Sequence, residues 1–304
     1  MNTKILSFDG GGIRGAITLT FLKSLEKDTG ISVSQKADLI AGTSTGSIVA
    51  GALSVGMTPE EILSFYSSMS AEIFKKKDSL DEFLGLKAKY SSSSLFQALT
   101  EVFSSKGLDP KTPLSKLPKP LIIPTVDLDA SSVNRWRMQI LTSSSDIPLV
   151  DAIMESTAAP TYFPSFNDHI DGGIAANDPS MVAYASAGGA TALLSFGTGY
   201  TAYDISKGEN WGALSWIVDL NPKNRASKTP LLTMLSDVQD QLPGQLCQLL
   251  LKDQYRRVNL ALSKSVALDD VSKIPLLIQE TELYIQNHQV EWRALCKWVT
   301  ERFT

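Results

Sequence analysis

Along the first half of the chain, short runs of mainly apolar residues alternate with segments whose apolar positions fall at helical spacing. Ile5 to Phe8 reads as a buried strand, glycines follow at 10, 11 and 12, and Ala16 to Lys27 then places Ile17, Phe21, Leu22 and Leu25 on one helical face. The order recurs at once. Ala37 to Ala41 reads as a second buried strand, Gly42 to Gly46 as a tight turn, and Ser47 to Val55 as a helix of small residues. Two strand–loop–helix units in succession predict a parallel sheet.

Thr58, Pro59 and Glu61 supply a capping residue, a proline in the first turn and a carboxylate three positions after the cap, so a helix is predicted from there towards Phe74. Lys75 to Ser94 carries a lysine triplet, a glycine and four consecutive serines, and reads as a surface loop and a candidate lid. Leu95 to Phe103 and Leu149 to Ala158 have helical spacing. Leu121 to Val126, Arg137 to Leu141 and Ala192 to Phe196 read as strands, and His169 to Asp171 as a strand end. Beyond an irregular stretch from Tyr200 to Pro230, Leu231 to Leu262 and Leu276 to Phe303 show long helical periodicity. The expected organisation is a catalytic core over residues 1–200, with residues 201–304 as a helical extension packed on the same domain.

Composition narrows the function. At 304 residues and 43% apolar the chain can bury a large core, and a formal net charge of -4 without a long basic stretch argues against nucleic acid as the main partner. Cys247 and Cys296 lack C-x-x-C spacing or neighbouring histidines and read as buried free thiols. The apolar run at the start is too short for a secretory leader, and Ser47 to Met57, the most apolar window, is far short of the roughly 20 residues that span a bilayer. A cytoplasmic location with peripheral membrane contact is expected.

Gly42-Thr43-Ser44-Thr45-Gly46 fits G-x-S-x-G between a predicted strand and a predicted helix, the context in which a serine is presented on a sharp turn. Small flanking residues at Gly42 and Gly46 relieve crowding there, and the following helix directs its positive end at the hydroxyl. Asp9-Gly10-Gly11-Gly12-Ile13-Arg14-Gly15 offers successive backbone N–H groups at another helix start, suited to an anion such as a tetrahedral oxyanion, with Arg14 as a candidate support. The same glycines satisfy G-x-G-x-x-G, but no acidic residue ends the second strand to hold a ribose, which weighs against a dinucleotide fingerprint; the non-enzymatic alternative is a nucleotide- or anion-binding module whose glycine loop grips phosphate. A serine nucleophile needs a base. Asp171, at a strand end before Gly172 and Gly173, is the favoured candidate, on condition that burial raises its pKa; a Ser-Asp-His arrangement through His288 is the alternative, and His169 is the other histidine.

Taken together and in this order, these motifs resemble the patatin-like phospholipases, in which D-G-G-G-x-R-G, G-x-S-x-G and D-G-G or D-G-A recur. Glu155 to Phe163, Ala176 to Pro179 and Leu194 to Gly199 look like further family segments. The resemblance implies a three-layer α/β/α fold with a mostly parallel sheet and a helical C-terminal cover. It implies a metal-independent Ser44–Asp171 dyad with no cofactor, and an oxyanion hole at Gly10, Gly11 and Gly12. The substrate class it implies is a membrane phospholipid or lysolipid. Ser47, where the family often has glycine, and Asp178, where asparagine is common, depart from the pattern. The unassigned tail is a candidate carrier of control by a small-molecule or protein activator. Phe74 to Lys77, Phe83 to Leu86 and Trp211 to Trp216 mix apolar and charged groups as candidate interfacial patches, although singly each reads as core with a solvated face.

Overall fold

A computed structural model describes residues 3–75, 87–129, 131, 135–201, 212–218 and 230–304. The predicted Phe83 to Leu86 patch, Trp211 and most of the candidate lid lie outside these residues. In chain order the elements are β1 (Lys4–Phe8), α1 (Gly15–Thr29), α2 (Val33–Lys36), β2 (Leu39–Gly42), α3 (Thr45–Ser54), α4 (Pro59–Ile73), α5 (Ser92–Ser105), β3 (Leu121–Asp127), β4 (Arg137–Thr142), α6 (Leu149–Thr157), β5 (His169–Asp171), α7 (Gly173–Ala176), α8 (Ser180–Ser186), β6 (Ala192–Phe196), α9 (Ala213–Ile217), α10 (Pro230–Leu251), β7 (Tyr255–Val258), α11 (Ile274–Asn287) and α12 (Gln289–Arg302).

Seven strands form one sheet in the order β4-β3-β2-β1-β6-β7, with β5 on β3. The ladders β3-β2-β1-β6-β7 are parallel, and β4 and β5 run antiparallel to β3. Alternation along the central strands explains the layers, because successive side chains leave opposite faces. Leu6, Phe8, Ile40, Leu194 and Phe196 join the large core beneath α1, α3, α4, α5, α6, α11 and α12. Ile5, Leu39, Ala41 and Leu193 join the smaller core on the other face, where Ala183 of α8 and Cys247 and Leu251 of α10 pack. Helices on both faces make the three-layer α/β/α arrangement.

The capping box at Thr58 forms: its hydroxyl accepts from the Glu61 N–H at 3.2 Å while the Glu61 carboxylate accepts from the Thr58 N–H at 2.8 Å. Three expectations need correction. The serine run is not loop, because Ser91 caps α5 and Ser92 begins it, the Ser91 hydroxyl accepting from the Ser93 N–H. The long helix expected up to Leu262 stops at Leu251, and Tyr255–Val258 pairs with β6 instead, its outer residues buried by the sheet. Cys296 is half-buried, whereas Cys247 is buried.

β3 has two edges. β4 fills one; β2 pairs with only Leu121 and Ile122 on the other, and β5 lies beside Thr125, Val126 and Asp127, running back towards the end of β2. The carboxyl end of β2 and the last residue of β5 thus face each other across a short gap. Beside them, β1 separates β2 from β6, so the chain departs to both sides of it, the position where open α/β sheets form a crevice at the carboxyl ends of their strands.

Candidate active site

Ser44 stands between β2 and α3 with φ 52° and ψ -123°, a backbone conformation disfavoured for any residue but glycine, and strain of this kind costs about 1 to 3 kcal/mol. The surroundings enforce it. A β-carbon on Gly42 would lie 2.0 Å from the Gly46 carbonyl oxygen, and one on Gly46 would lie 2.1 Å from that of Phe8, so α3 approaches β1 and its own incoming strand at backbone contact. Ser47, the departure from the family's usual glycine, donates its hydroxyl to the Ser44 carbonyl at 2.6 Å. Ser156 of α6 accepts from the Ser44 N–H at 3.0 Å and donates to the Pro124 carbonyl at 2.7 Å, tying the turn to β3.

At the end of β5 the Asp171 carboxylate meets this serine: Ser44 Oγ donates to Asp171 Oδ2 at 2.5 Å. The second oxygen, Oδ1, accepts from the Gly173 N–H at 2.7 Å, which fixes the plane of the carboxylate and leaves Oδ2 to the serine. Burial pushes the Asp171 pKa up to about 6, opposed by the hydrogen bonds from Ser44 and Gly173. Gly172 lies where a β-carbon would meet the Pro124 carbonyl oxygen at 2.1 Å, so the turn after Asp171 hugs β3.

The glycine loop after β1 borders the same cavity with Gly10, Gly11 and Gly12. Its amides are not equivalent. The Gly10 N–H, which the sequence groups with its two neighbours, already donates to the Asn177 carbonyl at 3.1 Å; the Gly11 and Gly12 N–H groups have no acceptor among the described residues. The loop is pinned on several sides. Thr198 Oγ1 donates to the Gly10 carbonyl at 2.7 Å, the Ile13 N–H donates to the Leu268 carbonyl at 2.9 Å, and Arg14 leans back with Nε 3.4 Å from the Gly11 carbonyl. Gly12 has φ 57°, and a β-carbon there would collide with Leu268 at 2.3 Å.

The cavity measures about 730 Å³. Its apolar lining includes Ile48, Phe65, Ile73, Phe74, Leu95 and Phe163, and its polar lining includes Arg14, Asn177, Gln239 and Asp240. Phe74, from a predicted interfacial patch, packs on Tyr90 and Phe163 as core. Asp240 of α10 accepts from Asn177 Nδ2 at 3.1 Å, and burial pushes it up to about 7. Sequence reasoning missed Asp240, Leu235, Gln239 and Leu268 because they sit in the tail, and it quoted Ser156 and Asn177 only as parts of family segments. The histidines are elsewhere. His288 joins α11 to α12, with Nδ1 2.9 Å from the Tyr284 carbonyl and its ring stacked on Tyr284; His169 bonds Gln139 at 3.0 Å and the Asn167 carbonyl at 2.5 Å. Neither lines the cavity.

A family model described as patatin-like phospholipase matches residues 6–184, more than half of the chain. "Protein teg" of Priestia megaterium is 26% identical over 90% of this chain and 92% of its own length. A "cGAMP-activated phospholipase" of Escherichia coli is 28% identical over 59% of this chain, which spans 54% of that relative. The "85/88 kDa calcium-independent phospholipase A2" of Rattus norvegicus is 26% identical over 96% of this chain and 40% of its own length. With its glycine loop, serine turn and Asp-Gly-Gly turn converging at one crevice, the chain belongs to the patatin-like phospholipase family and is a serine-type hydrolase of lipid esters.

Proposed function

We propose that the chain is a phospholipase A or lysophospholipase that cleaves fatty-acyl esters of glycerolipids through a Ser44–Asp171 dyad. The observation that carries this reading is the 2.5 Å hydrogen bond from Ser44 Oγ to a buried carboxylate at the wall of a largely apolar cavity. Asp171 Oδ2 takes the hydroxyl proton as Ser44 Oγ attacks the ester carbonyl, and a pKa of about 6 leaves the group ionised yet basic near neutrality. The negative charge on the carbonyl oxygen is received by the Gly11 and Gly12 N–H groups, since that of Gly10 is already engaged. The alcohol portion leaves with the proton from Asp171. Water then attacks the acyl-serine, Asp171 taking its proton and returning it to Ser44 Oγ as the acyl–oxygen bond breaks and the fatty acid is released. Ile48, Phe65 and Ile73 surround the acyl chain.

Peripheral membrane contact belongs to the same proposal. Leu231, Leu235, Val238, Leu242 and Leu249 recur on one face of α10 and are 41% to 72% exposed, and Leu235 also lines the cavity, so an apolar surface runs to the mouth. Among the described residues no helix is long and apolar enough to cross a membrane. Val238→Asp with Leu242→Asp is expected to abolish co-sedimentation with phosphatidylcholine vesicles while hydrolysis of a soluble short-chain ester continues. The relative named for activation by cGAMP adds activator control to the proposal, tested by turnover with and without that dinucleotide.

The dyad is tested with a fluorophosphonate probe and a chromogenic fatty-acid ester. Ser44→Ala is expected to lose both labelling and turnover, and Asp171→Asn to slow both by about 100- to 10,000-fold. Wild-type turnover in either variant would end the proposal. Mass spectrometry of mixed lipid vesicles, wild type against Ser44→Ala, identifies the ester that is cut.

A further inference from the structure

A cation sits behind the glycine loop, brought there by a strand outside the matched family segment. Arg257 of β7 projects a largely buried guanidinium: Nη1 donates to Asp9 Oδ1 at 3.1 Å, Nη2 to Asp9 Oδ2 at 2.5 Å, and Nη1 also to Ser195 Oγ at 2.7 Å. Nη1 further lies 2.9 Å from Asp178 Oδ2. Both carboxylates are buried. Asp9 immediately precedes Gly10 and Asp178 immediately follows Asn177, and Gly10 and Asn177 are themselves joined by the 3.1 Å backbone hydrogen bond. Guanidinium, Asp9, Gly10, Asn177 and Asp178 therefore close a ring, and the first glycine of the loop is one link in it.

The ring sets a distance that matters. A β-carbon on Gly10 would lie 3.2 Å from the Ser44 β-carbon and 2.3 Å from Asn177 Oδ1, so this glycine touches the nucleophile's residue and the ring at once. Arg257 itself does not line the cavity. We propose that Arg257 is a positioning residue: by gripping Asp9 and Asp178 together, it holds the Gly10–Gly12 loop at the height above Ser44 where the Gly11 and Gly12 amides meet the oxyanion. This rests on the function proposed above. A planar fork suits this geometry, because it holds both oxygens of Asp9 and the Ser195 hydroxyl in fixed directions while its charge stands 2.9 Å from Asp178 Oδ2, which a lysine ammonium on a flexible stem does not reproduce. Taking the guanidinium away also leaves two buried carboxylates without their shared partner, and the loop between them is then free to spread.

The test compares Arg257→Lys, Arg257→Gln and the double variant Asp9→Asn/Arg257→Gln, the last removing a carboxylate together with the cation so that the fold is less burdened by unpaired charge. Turnover of a soluble chromogenic ester is divided by the number of sites labelled after exhaustive reaction with a fluorophosphonate, so that unfolded protein does not count. A positioning role predicts kcat per labelled site about 100-fold below wild type with KM within about threefold, the loss expected when oxyanion donors are misplaced. It also predicts that the inhibition constant of an alkyl trifluoromethyl ketone, which adds Ser44 Oγ to form a tetrahedral oxyanion, rises in parallel with the loss of kcat/KM. A merely structural role predicts a lower melting temperature with kcat per labelled site and ketone affinity unchanged, and kcat per site within threefold of wild type in any folded member of the set overturns the inference. Ser44→Ala is run alongside: if it too retains turnover, the dyad reading has failed; if it is dead while the Arg257 variants are unimpaired, only the positioning role has.

Discussion

Replacing Asp171 with asparagine should make the protein more stable while removing its activity. The carboxylate is raised from 3.8 to about 6 in the folded chain, chiefly by burial. Each tenfold change in proton affinity corresponds to about 1.4 kcal/mol, so ionised Asp171 opposes folding by about 3 kcal/mol at neutral pH. The sign follows from proton binding. Between pH 4 and 6 the folded state holds a proton that the unfolded state has lost, so stability falls as pH rises through that window; the deficit is complete above pH 6 and absent well below pH 4. Asparagine keeps the shape: its oxygen accepts from the Gly173 N–H in place of Oδ1, and its NH2 group donates to Ser44 Oγ. With an unfolding entropy of about 2.1 cal/mol/K per residue, about 3 kcal/mol raises the melting temperature of a chain this long by about 5 °C. Thermal and urea unfolding of wild type and Asp171→Asn at pH 7.5 and pH 4.5, with probe labelling as the activity readout, checks both halves. The stabilisation is expected to be about 3 kcal/mol at the higher pH and about 1 kcal/mol at the lower. A variant less stable than wild type at pH 7.5, or stabilised equally at both, would refute the reasoning.

Ser44→Gly should be about 1 kcal/mol more stable than Ser44→Ala in urea unfolding, because only glycine relieves the φ of 52° that alanine retains; equal stability would remove strain from the account. The pH profile of kcat/KM should show an acid limb near pH 6, with activity rising as Asp171 loses its proton, and Asp240→Asn should leave that limb in place; a profile flat from pH 4.5 to 8 would rule Asp171 out as base. Ile48→Trp, filling the apolar part of the cavity that Ser44 also lines, should lower kcat/KM for a sixteen-carbon ester by at least about tenfold relative to a four-carbon ester, measured in one competition assay; equal losses would place the acyl chain elsewhere.

What the sequence could disclose and what it hid follow from where the constraints lie. A serine turn and a glycine loop announce themselves because part of the requirement is local, Gly42 being pressed by Gly46 four residues on and Gly12 needing its own positive φ, although Gly46 and Gly12 are also crowded by the distant Phe8 and Leu268. Asp171 was legible for a similar reason, as a carboxylate ending a strand before a turn that hugs β3. That Ser44 and Asp171 meet is a matter of strand pairing, since β5 takes the edge of β3 that β2 leaves, and no spacing of residues encodes it. β7 was hidden twice over. Four residues are too few to break the helical periodicity of α10, and their strand character comes from the β6 edge that awaits them. Yet one signal was present: Asp9 begins a glycine loop at the end of a buried strand, and a carboxylate taken into that environment needs a cation to share it. Arg257, nearly the length of the chain away, answers that need, so the family's first motif is completed by a residue that its own segment does not contain.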